Sequence, residues 1–390
     1  MERSEVLSHR VSAKTGFLTE EASLDYGNVS ALYCDDVVNY INTIRGIAEN
    51  LPELIKNKQV VGAVNNLFAP EVSLFNDINW PLANNLMLWL TMITHAYMLE
   101  QLGYKTVEEL KADDSPKYLC AQLALPLYRL HLITGVEPSA SYCFYGLWNY
   151  RRVDSSKPIT VDNVRMKYSY TDSEDEHWFV GTHNDVEVTF APAIEPLLEA
   201  CLLSQYDKVS TEVLSGVLAE AIVPNILVVQ SLKRVREKCS AEFYFKWVRM
   251  FFSFPRNVTF EGVSEWKNMD ILGETGGQSP FQHFRLAILG IKHHDPYFPR
   301  MRKHMQKNFR EFLKVADQSK VREKVLARKD KTLDNVYNTL VQTVIDWRNA
   351  HGDLAREYVA DLGDPDGTSK APVTWLKHLK DETEKYLIQR

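Results

Sequence analysis

The chain has 390 residues, 45% of them hydrophobic and 25% charged, a composition that excludes a largely disordered protein and offers core for about two to three domains. Its 45 basic and 51 acidic residues leave a net charge of −6, with no electrostatic footprint for nucleic acid or an anionic membrane. Five cysteines without CxxC spacing exclude a disulfide framework or zinc knuckle and point to a reducing, cytoplasmic compartment.

The first ten residues have no apolar h-region, so no secretory signal is expected. Apolar residues three and four apart predict helices over 36–48, 84–101 and 121–134. The longest apolar runs, 86–102 and 213–232, contain His95 with Glu100 and Glu220 with Pro224. Both read as buried helices of a soluble protein rather than membrane spans. Between 157 and 182 the chain turns rich in Thr, Val and Tyr, with alternation after Val164. That predicts a short strand or irregular crossing, and a domain boundary near residue 160. The acidic run 172–176 reads as a solvated loop. Further helices are predicted over 191–206, 209–237 and 242–253. Between Arg300 and Asp364 there is no proline, and the only glycines are Gly352 and Gly363. Such a run carries long helices, the last with a stop at Gly363 and Pro365. The fold class expected is mainly α, with a small N-terminal domain over 1–160 and a large all-helical domain over 161–390.

No Walker loop, GxGxxG, HExxH or GxSxG motif is present. Five features carry candidate chemistry. His351 shares a helix face with Val344, Trp347, Leu354 and Tyr358, so it is either a satisfied core histidine or a metal or haem ligand. Arg348, one turn earlier, needs an anionic partner, and haem propionates would be one. Residues 273–284 (GETGGQSPFQHF) form a glycine-rich polar loop that either turns between helices or brings backbone close to a ligand. In 243–254 (FYFKWVRMFFSF) Arg249 sits among seven aromatics, and a guanidinium there demands a carboxylate, internal or from a ligand. In 177–187, His183 and Asp185 form a catalytic pair or a cap for the next helix. Adjacent His293 and His294 read as a solvated helix end.

The order of "GETGGQSPFQHFRLAILGI", "FPRMRKHMQKNFREFLK", "DNVYNTLVQTVIDWRNAHGDLAREYVAD" and "WLKHLKDETEKYLI" resembles the indoleamine 2,3-dioxygenase family, haem-dependent enzymes that open the indole ring of tryptophan. The likeness is continuous from about Phe179 to Leu387 and looser before residue 160. It implies haem b held by His351, the proximal iron ligand, with Arg348 on a propionate. It implies Phe179 and Tyr244 as aromatic walls, Arg249 on the substrate carboxylate, and Thr275 and Gly276 in the loop beside haem and substrate. Tyr142 and Gly146 fall on the small-domain segment that walls the indole pocket, capping the distal side. His183 stands where the animal enzymes have serine and would accept or orient the indole N–H. Tyr244 replaces a phenylalanine, Arg285 an aspartate on the proximal side, and 366–374 only partly matches a GTGGT loop that closes over substrate. The implied reaction adds dioxygen across the indole C2–C3 bond of L-tryptophan to give N-formylkynurenine, with an electron donor keeping haem ferrous. The alternatives are a haem mono- or dioxygenase for a modified indole or tryptophan in a biosynthetic pathway, and a non-catalytic haem or dioxygen carrier.

Overall fold

The computed structural model describes residues 11–68, 75, 77–252, 255–366 and 373–389. The expected partial loop match at 366–374 therefore lies mostly outside the described residues, as do residues 253 and 254 of the aromatic run. Within the described residues the protein is mainly helical, as expected, with two small two-stranded sheets. Lys117–Leu119 pairs in parallel with Val258–Phe260, and Arg151–Arg152 pairs antiparallel with Val164–Arg165. The second is the short strand that the alternation after Val164 predicts.

The helices that position the cavity start where their sequences say they should. Asn79 caps Trp80–Gln101 through Leu82 N, and Pro81 occupies its first turn. That helix is buried on every side from Leu82 to Leu99, so it forms a central post instead of an amphipathic cover. Its His95 bonds Phe251 O through Nδ1 at 2.8 Å, and its Nε2 accepts from Ala140 N. The first half of the chain is thereby tied to the aromatic run of the second. Ser173 caps Glu174–Phe190, and Glu174, Asp175 and Glu176 fill its first turn, where carboxylates offset the helix dipole. The acidic run is thus a helix start and not a solvated loop. Glu176 is fully buried and accepts from Tyr145 Oη at 2.6 Å, Tyr170 N at 2.8 Å and Thr171 N at 2.7 Å.

Asp330 caps Lys331–Ala355, whose stripe Leu333, Tyr337, Leu340, Val341, Val344 and Ile345 is buried. The helix passes directly into a five-residue π turn, Arg356–Ala360, before Gly363 at φ +120°. The expected helix at 242–253 is likewise broken, into Ala241–Phe243, a π turn Tyr244–Val248 and a 3₁₀ turn Arg249–Phe252. A third π turn is Tyr142–Trp148. Such widened turns are rare and cluster at functional sites. Here Tyr142, Tyr244 and Tyr358, one from each, line the same cavity.

The run 213–232 departs from expectation. It forms two helices, Thr211–Glu220 and Ile222–Lys233, within an apolar stretch long enough to cross a membrane by composition. Leu214, Leu218 and Val228 are buried, but Val213, Val223, Ile226 and Leu227 face outward. Ile222–Lys233 packs its inner face on the Glu174–Phe190 and Lys331–Ala355 helices and leaves its outer face exposed. One contiguous cluster of buried side chains extends from Val11 to Tyr358.

Candidate functional site

The Glu174–Phe190 and Lys331–Ala355 helices, the loop 273–279 and the three π turns enclose a cavity of about 260 Å3. Phe179, Tyr142, Tyr244, Phe252, Phe281 and Trp347 give it aromatic walls. His183 and His351 enter from the two helices, close enough that the charge of one opposes protonation of the other. Phe179 holds His183 edge-on at 4.6 Å and lies 4.6 Å from Tyr244, while Tyr142 meets His183 at 5.3 Å. Burial lowers both histidines to about pKa 4, so each imidazole is neutral near pH 7. Neither ring has a hydrogen-bond partner among the described residues.

Asp185 does not pair with His183, because residues two apart on a helix point in different directions. Its carboxylate instead accepts from Val161 N at 3.2 Å. His183 is no cap either, since it sits in mid-helix. Gly181, one turn before Asp185, allows this approach: a Cβ there would stand 3.2 Å from Val164 and 3.3 Å from Val161.

The glycine loop does bring backbone close to its surroundings. A Cβ on Gly273 would overlap Phe252 O at 2.5 Å, and one on Gly277 would overlap the Tyr297 ring. Thr275 Oγ1 is 3.2 Å from Tyr297 Oη. At Gly276 a Cβ would touch His351 Nε2 at 3.7 Å, so glycine leaves open the space in front of that nitrogen. Glu274, absent from the expected set, also lines the cavity. Its signal was an acidic residue embedded in a glycine-rich loop.

On the His351 side stand two guanidiniums. Arg348 reaches His293 Nε2 at 2.8 Å and the Leu379 carbonyl. Arg285 lies 5.3 Å over Phe281 and 5.4 Å over Trp347, with Nε and Nη2 on Gln282 Oε1 and a buried Nη1 that has no partner among the described residues. Burial and Arg348 push its pKa well down. His293 is not solvated as expected. Its side chain is buried and bonds Glu382 at 2.7 Å, which relays a negative charge towards Arg348. A buried neutral imidazole with a free nitrogen, a glycine facing it, apolar walls and an uncompensated guanidinium fit an iron porphyrin with anionic side arms.

Two expected site residues stand back from this wall. Gly146 is buried behind Tyr142, its carbonyl accepting from Asn184 at 3.0 Å. Arg249 is fully buried over the Phe245 ring and ion-paired with Asp364, with Glu108 at 3.7 Å. Asp364 also binds Lys111 at 2.6 Å. Tyr142, by contrast, does line the cavity and donates to Glu187 at 3.0 Å; burial raises Glu187 to about pKa 8. A broader open groove of about 1580 Å3 lies elsewhere, with basic and acidic side chains interspersed and no such convergence.

Such a cavity in a helical protein suits a flat aromatic group held beside a prosthetic group. The chain belongs to the indoleamine 2,3-dioxygenase family, whose sequence profile matches residues 5–385. It is 26% identical to indoleamine 2,3-dioxygenase 1 of Mus musculus over 373 residues, covering 88% of each chain, and 25% identical to that of Rattus norvegicus with the same coverage. It is also 25% identical over 249 residues, 61% of each chain, to a Fusarium equiseti protein named 6-hydroxytryptophan 2,3-dioxygenase.

Proposed function

We propose that this protein adds both atoms of dioxygen across the indole C2–C3 bond of L-tryptophan, or a closely related indoleamine, to give N-formylkynurenine. The observation that carries this reading is the aromatic cavity with neutral His183 and His351 on one void. His351 would hold the haem iron through Nε2, Arg348 would pair with a propionate, and Arg285 would share that anionic edge. Bound haem supplies the dioxygen chemistry, and an electron donor would keep it ferrous. The protein's own task is to orient and desolvate the indole. Phe179 and Tyr244 stack against it, and His183, neutral and otherwise unbonded, accepts its N–H. Thr275 flanks the amino acid end, and Arg249 binds its carboxylate. The segment 1–160 would form the distal cap and 161–390 the haem-holding body, in a cytoplasmic setting. A second reading, a ring-modified tryptophan as substrate, is favoured by the Tyr244 hydroxyl on the wall and by the name of the Fusarium equiseti relative. The test is anaerobic reduction of the haem-loaded protein, then tryptophan and air. Formylkynurenine accumulating over many turnovers, by near-ultraviolet absorbance and product mass, is the expected result. A dioxygen complex that never turns over would instead identify a carrier.

His183 gives a sharper test. Its pKa of about 4 lies below the ordinary value of about 6.5. The ring therefore stays neutral, and kcat/KM carries no His183 acid limb over about pH 5.5–8.5. His183→Ser should retain turnover and the same profile over that window. It should narrow the preference for tryptophan over 1-methyltryptophan, because the methyl group removes the N–H that His183 reads. A wild-type acid limb near pH 6.5 that vanishes in the serine variant would place the ring in water. An unchanged preference would remove it from the indole nitrogen.

A further inference from the structure

Glu274 is buried and lines the cavity, and its Oε1 has no hydrogen-bond partner among the described residues. A buried carboxyl is costly to leave unmatched, so an orphaned oxygen on a binding cavity marks where a ligand donor belongs. It shares the cavity wall with Tyr142 and Tyr244. Among the described residues no cation offsets its burial, which raises it to about pKa 8. Tyr244 feels Arg249. The Glu274 carboxyl thus stands on the cavity with Tyr142 and Tyr244, while Arg249 stands back on Asp364.

From this geometry we infer that Glu274 takes the α-ammonium of the substrate and selects amino-bearing indoles over their desamino analogues. The inference rests on the cavity being the site of an indole amino acid. The ammonium supplies the countercharge that the carboxyl lacks, and the hydrogen bond between them is charge-assisted. Burial keeps Glu274 protonated in the empty cavity near pH 7, and the carboxyl gives its proton to solvent as the ammonium takes its place; Thr275, next in the chain, is engaged with Tyr297.

The test compares haem-loaded wild type with Glu274→Gln, which keeps shape and removes charge. Dissociation constants are measured by calorimetry for L-tryptophan, tryptamine and indole-3-propionate. A lost charge-assisted contact should weaken L-tryptophan and tryptamine by about tenfold or more. Indole-3-propionate, which has no ammonium, should bind unchanged or tighter. Glu274→Asp keeps the charge at shorter reach and should fall between the two, which secures the comparison if the glutamine variant folds poorly. Equal weakening of all three ligands, or of none, overturns the assignment. Wild type that binds no indole at all sinks the site reading and this inference with it. Wild type that binds tryptophan no better than Glu274→Gln sinks this inference alone.

Discussion

His351→Ala loses haem. The purified variant should show no Soret band above background, where wild type reconstituted in parallel binds about one equivalent. The structure makes this a clean measurement. The His351 ring has no hydrogen-bond partner among the described residues, so alanine orphans no donor or acceptor. The helix carrying it is secured elsewhere, by the Asp330 cap and the buried stripe Leu333 to Ile345, and alanine is the best helix former. Far-ultraviolet dichroism should therefore be unchanged while the cofactor is gone. His351→Gly with added imidazole should recover haem, because the glycine leaves room for the missing ring. A ligating histidine ordinarily donates its second N–H to a carboxylate, carbonyl or water. No described residue accepts from this one, so water is the expected partner. Unchanged haem content and an unchanged five-coordinate ferrous spectrum in the alanine variant would remove His351 from the iron.

Of the two helices that carry the site histidines, Lys331–Ala355 was legible from its apolar stripe, Leu333 to Ile345. Glu174–Phe190 was not, because its Thr, Val and acidic residues read as a strand or irregular crossing and a solvated loop. What else was illegible came from pairings distant in sequence. Arg249 among aromatics implied a carboxylate, but nothing in the sequence singled out Asp364, 115 residues on. His293 looked exposed beside His294, Lys292 and Asp295. It is buried because Glu382 and Arg348, 89 and 55 residues away, close over it. The acidic run at 172–176 looked solvated because charge density alone cannot show that Glu176 turns inward to four donors, Tyr145, Tyr170 and two of Thr171. The three π turns left no trace in the periodicity, since a single widened turn shifts the register by only one residue. In the Tyr244–Val248 turn the Arg249 N–H accordingly bonds Tyr244 O, five residues back.

Arg249→Ala should raise KM for tryptophan by far more than it disturbs haem content. A charge-assisted contact to a carboxylate in a dry site contributes about 2–4 kcal/mol, or roughly 30- to 1000-fold. The structure adds a competitor. Asp364 already holds Arg249 Nη2, and it is nearly buried itself. Burial alone would raise the Asp364 carboxyl, but Lys111 and Arg249 outweigh it and hold it below the ordinary carboxylate range. It is therefore ionised wherever tryptophan is assayed. A substrate carboxylate and Asp364 seek the same guanidinium N–H. Lys111 at 2.6 Å gives Asp364 somewhere to remain when Arg249 turns to substrate, so the exchange does not strand a bare buried charge. Removing the competitor should have the opposite sign from removing the clamp. Asp364→Asn should lower KM for tryptophan several-fold while leaving that for tryptamine, which has no carboxylate, unchanged. The double variant should behave like Arg249→Ala alone, because the asparagine acts only through the arginine. If Asp364→Asn instead raises KM as much as Arg249→Ala does, then Asp364 holds the guanidinium in its working position rather than competing for it. If neither variant moves KM for tryptophan, the carboxylate is bound by another group, and Arg249 with Asp364 and Lys111 is a buried ion-pair network that braces the 3₁₀ turn beneath the cavity.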